Sequence, residues 1–113
     1  MLKRLAVLLV LTLCIPAALF AQDARRCVSL DAKRGTQCGS ADSLQIKVKN
    51  RCSQKVYVKM CLEKKNGQWS CGSDSTLAPG KTNNGFWTCH ATGDYQWSAC
   101  TGGYKECGFK NPK

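Results

Sequence analysis

Cysteines, a single histidine, seven carboxylates and a run of lysines are the residues of this 113-residue chain that could carry chemistry. Cys89 and His90 are adjacent, which raises a thiolate nucleophile served by an imidazole base. That pair is not expected to act. A catalytic cysteine and histidine meet across a fold and not along the chain, and a cysteine held in a disulfide has no thiolate to offer. His90 therefore reads as a surface histidine beside a structural bridge. Asp23, Asp31, Asp42, Glu63, Asp74, Asp94 and Glu106 are scattered, and nothing in their spacing pairs two carboxylates at the separation a glycosidase requires. Zinc sites use close ligand pairs, typically with about two to four residues between cysteines. The closest pair here, Cys100 and Cys107, has six between. No catalytic residue, metal or cofactor is expected, and the chain does not read as an enzyme.

The basic residues are the more distinctive group. Lys47, Lys49, Arg51, Lys55, Lys59, Lys64 and Lys65 place seven positive charges in nineteen residues, against Glu63 alone. Such a surface suits an anionic glycan, lipopolysaccharide or an acidic protein. Lysines on the solvent face of a strand also resist edge-to-edge aggregation, which is the simpler reading. Tyr57 interleaves with Lys55 and Lys59, so Lys47, Lys49, Arg51, Lys55, Tyr57 and Lys59 form the predicted binding set. Nucleic acid is disfavoured, because one aromatic is not a stacking platform and the chain reads as exported. Trp69, Trp87, Trp97, Tyr95 and Phe86 could stack on sugars, but in a domain short of aliphatics the expectation is that Trp87 and Trp97 pack in the core.

The elements that position these residues follow from patterning. Lys3 and Arg4 precede an apolar run over residues 5–21, broken by Thr12 and Pro16. This is the layout of a secretory signal peptide, residues 1–21, cleaved near Ala21. The run is short for a membrane span, so no transmembrane segment is expected after cleavage. Cys14 belongs to the discarded stretch. Without Lys3 and Arg4, fifteen Lys and Arg stand against seven Asp and Glu, a formal +8. Eight cysteines remain, Cys27, Cys38, Cys52, Cys61, Cys71, Cys89, Cys100 and Cys107. An even count in a short exported chain implies a disulfide framework. Four bridges at roughly 2 to 4 kcal/mol each rival the whole net stability of an ordinary domain, so reduction should unfold it. With no Asn-x-Ser/Thr sequon, the protein reads as secreted or periplasmic in a bacterium, and as a monomer.

Residues 22–43 show no sustained period and are expected as an irregular N-terminal arm tethered by Cys27 and Cys38. Residues 44–113 are expected as a cysteine-rich β domain. There, Leu44, Ile46 and Val48 alternate with Gln45, Lys47 and Lys49, and Val56, Val58 and Met60 alternate with Lys55, Tyr57, Lys59 and Cys61. Two such strands suggest an antiparallel pair with its lysines on one outer surface. A three-residue loop over Lys65-Asn66-Gly67, with Gly67 left-handed, closes on Lys64 and Gln68 and sets Cys61 opposite Cys71 at a non-hydrogen-bonded position, where a bridge is predicted. Residues 73–79 read as loop, Leu77-Ala78-Pro79-Gly80 as a turn, residues 85–89 as a strand, Gly93-Asp94 as a break, and residues 95–100 as a strand with Tyr95, Trp97 and Ala99 on one face. The fold class is mostly β, a small disulfide-stapled antiparallel β-sandwich or β-meander.

Asn50-Arg51-Cys52-Ser53 before the strand at residues 55–60, and Leu77-Ala78-Pro79-Gly80 before an aromatic strand, resemble the opening hairpin region of thaumatin-like β-sandwich proteins over about thirty residues. The larger cysteine set and acidic cleft of that family have no counterpart here, so the resemblance implies a fold and no activity. Most of the chain is also similar to small secreted bacterial cysteine-rich proteins with an Asn-x-Cys, Leu-x-Pro-Gly, Trp-x-Cys layout, which implies an exported β domain. The expected function is a non-enzymatic module that engages an anionic envelope polymer or acidic protein through its basic face. The alternatives are a small secreted inhibitor or effector docking through residues 73–84, and a carbohydrate-binding module.

Overall fold

The computed structural model describes residues 22–112. The expected signal peptide, with Cys14, lies outside the described residues. Six strands form two three-stranded antiparallel sheets, one ordered β1-β2-β5 and the other β4-β3-β6. The strands are β1 (Val28–Gly35), β2 (Ser43–Asn50), β3 (Val56–Lys64), β4 (Trp69–Leu77), β5 (Thr82–Thr88) and β6 (Ala91–Cys100). A four-residue helix, α1 (Tyr104–Cys107), follows.

The core lies between the sheets. Leu44, Ile46 and Val48 from β2 face Val56, Val58, Met60 and Leu62 from β3, and Leu77, Phe86, Ala91 and Ala99 complete the buried cluster. Period-two alternation is the cause, since successive side chains of a strand point to opposite faces. Tyr95 and Trp97 pack against the cluster from β6. Gly72 lies on the inner face of β4, where a Cβ would fall 3.3 Å from two ring atoms of Phe86. The missing side chain is the space the ring occupies.

The β3–β4 hairpin matches its prediction in detail. The Gly67 N–H donates to the Lys64 carbonyl and the Lys64 N–H to the Gln68 carbonyl, with Gly67 at φ 83°. Cys61 and Cys71 are direct partners and are bridged. The other bridges are Cys27–Cys52, Cys38–Cys89 and Cys100–Cys107.

Four expectations are corrected. β2 and β3 are not a hairpin pair: β2 lies between β1 and β5, and β3 between β4 and β6. The chain crosses between sheets at residues 51–55, so the two outer faces look in opposite directions. The arm expected to be irregular holds β1, an edge strand paired with β2 along its whole length. The tether itself is present, through Cys27–Cys52 and Cys38–Cys89. Residues 73–77, expected as loop, continue β4. Finally, Gly93-Asp94 does not break the chain. β6 runs through both residues, and Leu62 pairs with Tyr95 while Lys64 pairs with Ala91, so Gly93 sits in a bulge, the other meaning of glycine within a strand. The turn falls instead at Cys89 and His90, where His90 takes φ 51°.

Asn50 is fully buried and joins two of the crossings. Its Nδ2 donates to the carbonyls of Gln54 and Leu77, both at 2.8 Å, and its Oδ1 accepts the Cys52 N–H at 2.7 Å. Its own N–H donates to the Lys81 carbonyl and its carbonyl accepts the Gly80 N–H. Residues 51–54 and 77–81 thus meet around Asn50.

Two stability predictions follow from this packing. Asn50→Ala leaves two carbonyls and one N–H without partners at a buried end, and urea denaturation should show a loss of roughly 3 kcal/mol. Asn50→Asp should be no better, because it sets a carboxylate oxygen against the two carbonyls. Gly72→Val drives methyl groups into the Phe86 ring, with an expected loss of about 1 to 3 kcal/mol. A Phe86→Leu background should recover part of that loss.

Candidate binding face and the polar knot

The outer face of the β1-β2-β5 sheet is built from residues directly opposite one another. Lys33, Gln45 and Trp87 form one row across the three strands, Asp31 and Lys47 a second, and Ser29, Lys49 and Thr82 a third. Beyond the end of β2, the Arg51 Nε donates to the Ser29 Oγ at 2.7 Å, which draws the guanidinium back over β1. A shallow groove of about 220 Å³ runs between Asp31, Lys47, Lys49, Arg51 and Thr82. Successive rows are about 7 Å apart along the strands, so the cations form a stripe. Among the described residues, no carboxylate lies within ion-pair distance of Lys33, Lys47, Lys49 or Arg51.

The predicted binding set is divided by the fold. Lys47, Lys49 and Arg51 are exposed together on this face. Lys55 is exposed in the crossing at the end of the sandwich. Tyr57 and Lys59 lie on the outer face of the other sheet, opposite Cys100 and Ser98. Tyr57 is only 4 % exposed, covered by the rings of Tyr104 and Phe109 at centroid distances of 6.3 and 5.5 Å. The C-terminal segment, tied back by Cys100–Cys107, removes that tyrosine from solvent. Identical alternation in β2 and β3 predicts one lysine surface only when the strands are neighbours in one sheet, and here they are not.

Two residues of the open face escape the sequence reading. Trp87, expected in the core, is 50 % exposed, because Phe86 and Thr88 take the inward positions of β5. Trp97 does pack against the core. Lys33 belongs to the expected arm. Its signal was present, since Val28, Leu30 and Ala32 alternate with Ser29, Asp31 and Lys33, but alanine and a following arginine weaken the pattern.

The carboxylates are mostly engaged in local structure. Asp74 accepts from the Thr76 N–H and the Asn83 Nδ2, linking β4 to β5. Glu63 accepts the Thr92 hydroxyl, and Glu106 the Gly103 N–H. Asp23 forms a bidentate pair with Arg25, Nε donating to Oδ1 and Nη2 to Oδ2, and the side-chain and backbone hydrogen bonds from Arg25 lower the Asp23 pKa to about 2. Asp42 is the centre of a knot at the end opposite Asn50. It accepts from the Ser40 hydroxyl at 2.6 Å and the Lys65 ammonium at 3.0 Å, and lies 3.1 Å from the His90 Nδ1. Its backbone carbonyl accepts the Ala91 N–H. Cys89 is bridged to Cys38, so His90 stands beside a disulfide and not a thiol. Among the described residues, no group of three His, Cys, Asp or Glu side chains is placed to hold a metal ion, and no helix is long and apolar enough to cross a membrane.

The knot carries a pH dependence. Asp42 is held well below the usual carboxylate range, first by the Ser40 hydroxyl and then by Lys65 and His90. A carboxyl depressed in the fold contributes stability that is complete above its unfolded value and is lost as pH falls through its folded one. Asp42→Asn should therefore lower the Tm near neutral pH, and the gap from the parent should shrink as pH falls from about 5 to about 2. A gap constant across that range would remove the charge of Asp42 from the account.

Scans against protein-family models, curated proteins and solved structures return no match for this chain.

Proposed function

We propose that the protein is an exported, non-enzymatic binding module that captures an anionic polymer on the outer face of its β1-β2-β5 sheet. The observation that carries this reading is the stripe of Lys33, Lys47, Lys49 and Arg51 on an open sheet face, with none of the four neutralised by an ion pair among the described residues. Exposed cations at regular spacing attract a polyanion from a distance and release its counterions on contact, so such binding weakens steeply with salt. Arg51 adds a planar fork suited to carboxylate or phosphate.

Export and an oxidising compartment belong to the same proposal. Four disulfides favour such a compartment, and the signal-peptide pattern at residues 1–21 gives the route. Docking through residues 73–84 has less support, because residues 73–77 and 82–84 lie in β4 and β5 and leave a short turn between them.

The test is a titration of the purified protein with an acidic polymer at increasing ionic strength. Affinity should fall by tenfold or more, an order-of-magnitude figure, between about 50 and 200 mM salt. Combined Lys47→Gln, Lys49→Gln and Arg51→Gln substitutions should abolish binding, whereas Lys59→Gln, on the opposite sheet, should leave it intact. Binding indifferent to salt, or lost equally with Lys59→Gln, would sink the proposal.

A further inference from the structure

We infer that the polymer taken by this face is an acidic polysaccharide, with Trp87 stacking on a sugar ring while Lys47, Lys49 and Arg51 engage its charged groups. The inference rests on the electrostatic reading above and adds the chemical class of the ligand. Trp87 and Tyr104 are the large apolar side chains left exposed among the described residues. Tyr104, 71 % exposed, belongs to the C-terminal cover of the opposite sheet, edge-on to Tyr57, whereas Trp87, 50 % exposed, lies in one row with Lys33 and Gln45 on the cationic face. A half-exposed indole on a polar sheet face is an unused contact surface, and flat aromatic faces suit the apolar side of a pyranose.

The strand beneath the indole is held in place. The register of β2 and β5 shifts between Ile46 and Val48, and the irregular stretch of β5 is capped from both sides. The Gln45 Nε2 donates to the Asn84 carbonyl at 2.8 Å, and the Asn83 Oδ1 accepts the Gly85 N–H at 2.8 Å. A platform already ordered loses little further entropy on binding.

The other groups on the face favour sugar over competing polyanions. Asp31 lies directly opposite Lys47, inside the groove. A polymer that offers only anionic acceptors, such as a polyphosphate or a phosphodiester backbone, meets nothing but repulsion at that carboxylate. A polysaccharide presents hydroxyl donors, which an ionised carboxylate accepts. Ser29, Gln45 and Thr82 add further hydrogen-bonding groups in the same rows. Single-strand nucleic acid binders stack successive bases on several rings, and this face offers one. Attachment to an anionic membrane surface draws on buried apolar area as well as on charge, and one indole among polar neighbours supplies little of the first. From the Trp87 row to the Lys49 row is about 14 Å, a span matched by an extended chain and not by one headgroup.

The experiment compares three probes, polygalacturonate, polyphosphate and vesicles containing anionic lipid, by calorimetry and vesicle sedimentation. Trp87→Ala should weaken polygalacturonate binding by roughly tenfold, Trp87→Phe should restore part of it, and neither should alter polyphosphate binding. Asp31→Asn should strengthen polyphosphate binding by a larger factor than polygalacturonate binding, where the weakened hydroxyl contact offsets the relieved repulsion. An unchanged Tm and far-ultraviolet spectrum would show that each variant is folded. If Trp87→Ala leaves polygalacturonate binding intact while the Lys47, Lys49 and Arg51 substitutions abolish it, the stacking inference is overturned and electrostatic capture stands. Vesicle or polyphosphate binding that depends on Trp87 in the same degree also overturns it. Binding to none of the probes overturns both readings.

Discussion

The carboxamide of Asn50 sits buried at the end of β2, donating to the carbonyls of Gln54 and Leu77 and accepting the Cys52 N–H. The polar demands of two sheet-crossing segments are met by one side chain. A buried backbone group left without a partner is costly, so a chain that changes sheets through its interior end must bring its own hydrogen bonds. Asn50 brings them, and its backbone N–H and carbonyl bind Lys81 and Gly80 as well. This fixes where β3 begins and where β4 hands over to β5. Because the crossing at residues 51–55 is secured there, β2 and β3 become the central strands of facing sheets. The division of the lysines between two outer faces follows directly.

The opposite end is secured by different chemistry. Hydrophobic contact between the sheets is one layer of side chains deep, with Ile46, Val48, Val58 and Met60 at its centre, and a layer that thin does not by itself fix the loops at its rim. There, Cys38–Cys89 joins the β1–β2 connection to the turn before β6. Asp42 gathers Ser40, Lys65 and His90 from three connections. Arg34 reaches from the end of β1 to the carbonyls of Ala91 and Thr92 on β6. Covalent bridges and charge-assisted hydrogen bonds thus hold the loops where apolar burial cannot, as expected for a domain of this size. The face proposed to bind lies between these two fixed ends.

The strands β2 and β3 and the β3–β4 hairpin were legible in the sequence because their signals are local. Alternation over Leu44, Ile46 and Val48 needs only neighbouring residues, and the left-handed Gly67 settles the Cys61–Cys71 register through a three-residue loop. Sheet membership was not legible, since it depends on the partners of Asn50, some 27 residues away at Leu77. The inward parity of β5 was equally hidden. Phe86, Trp87 and Thr88 read alike until Phe86 meets the space left by Gly72, and only then must Trp87 face outward. That Lys47, Lys49 and Arg51 share an exposed face follows from charge and alternation. Lys33 and Trp87 required the register.

The two outer faces of the sandwich differ in what covers them, and that difference bears on function. On the β4-β3-β6 sheet, Tyr57 would be an exposed apolar ring, but Tyr104 and Phe109 pack on it and Cys100–Cys107 holds that cover in place. The same chain therefore conceals Tyr57 on one sheet, beneath a Tyr104 that is itself exposed, while leaving Trp87 half exposed on the other. Lysines around a strand edge can be explained by resistance to aggregation, yet that explanation does not extend to an uncovered tryptophan in the same cross-strand row as Lys33 and Gln45. Under the proposed function, cation stripe and open indole on one face are accounted for together by a ligand that is both charged and flat-sided, and the proposal rests on their coincidence more than on either feature.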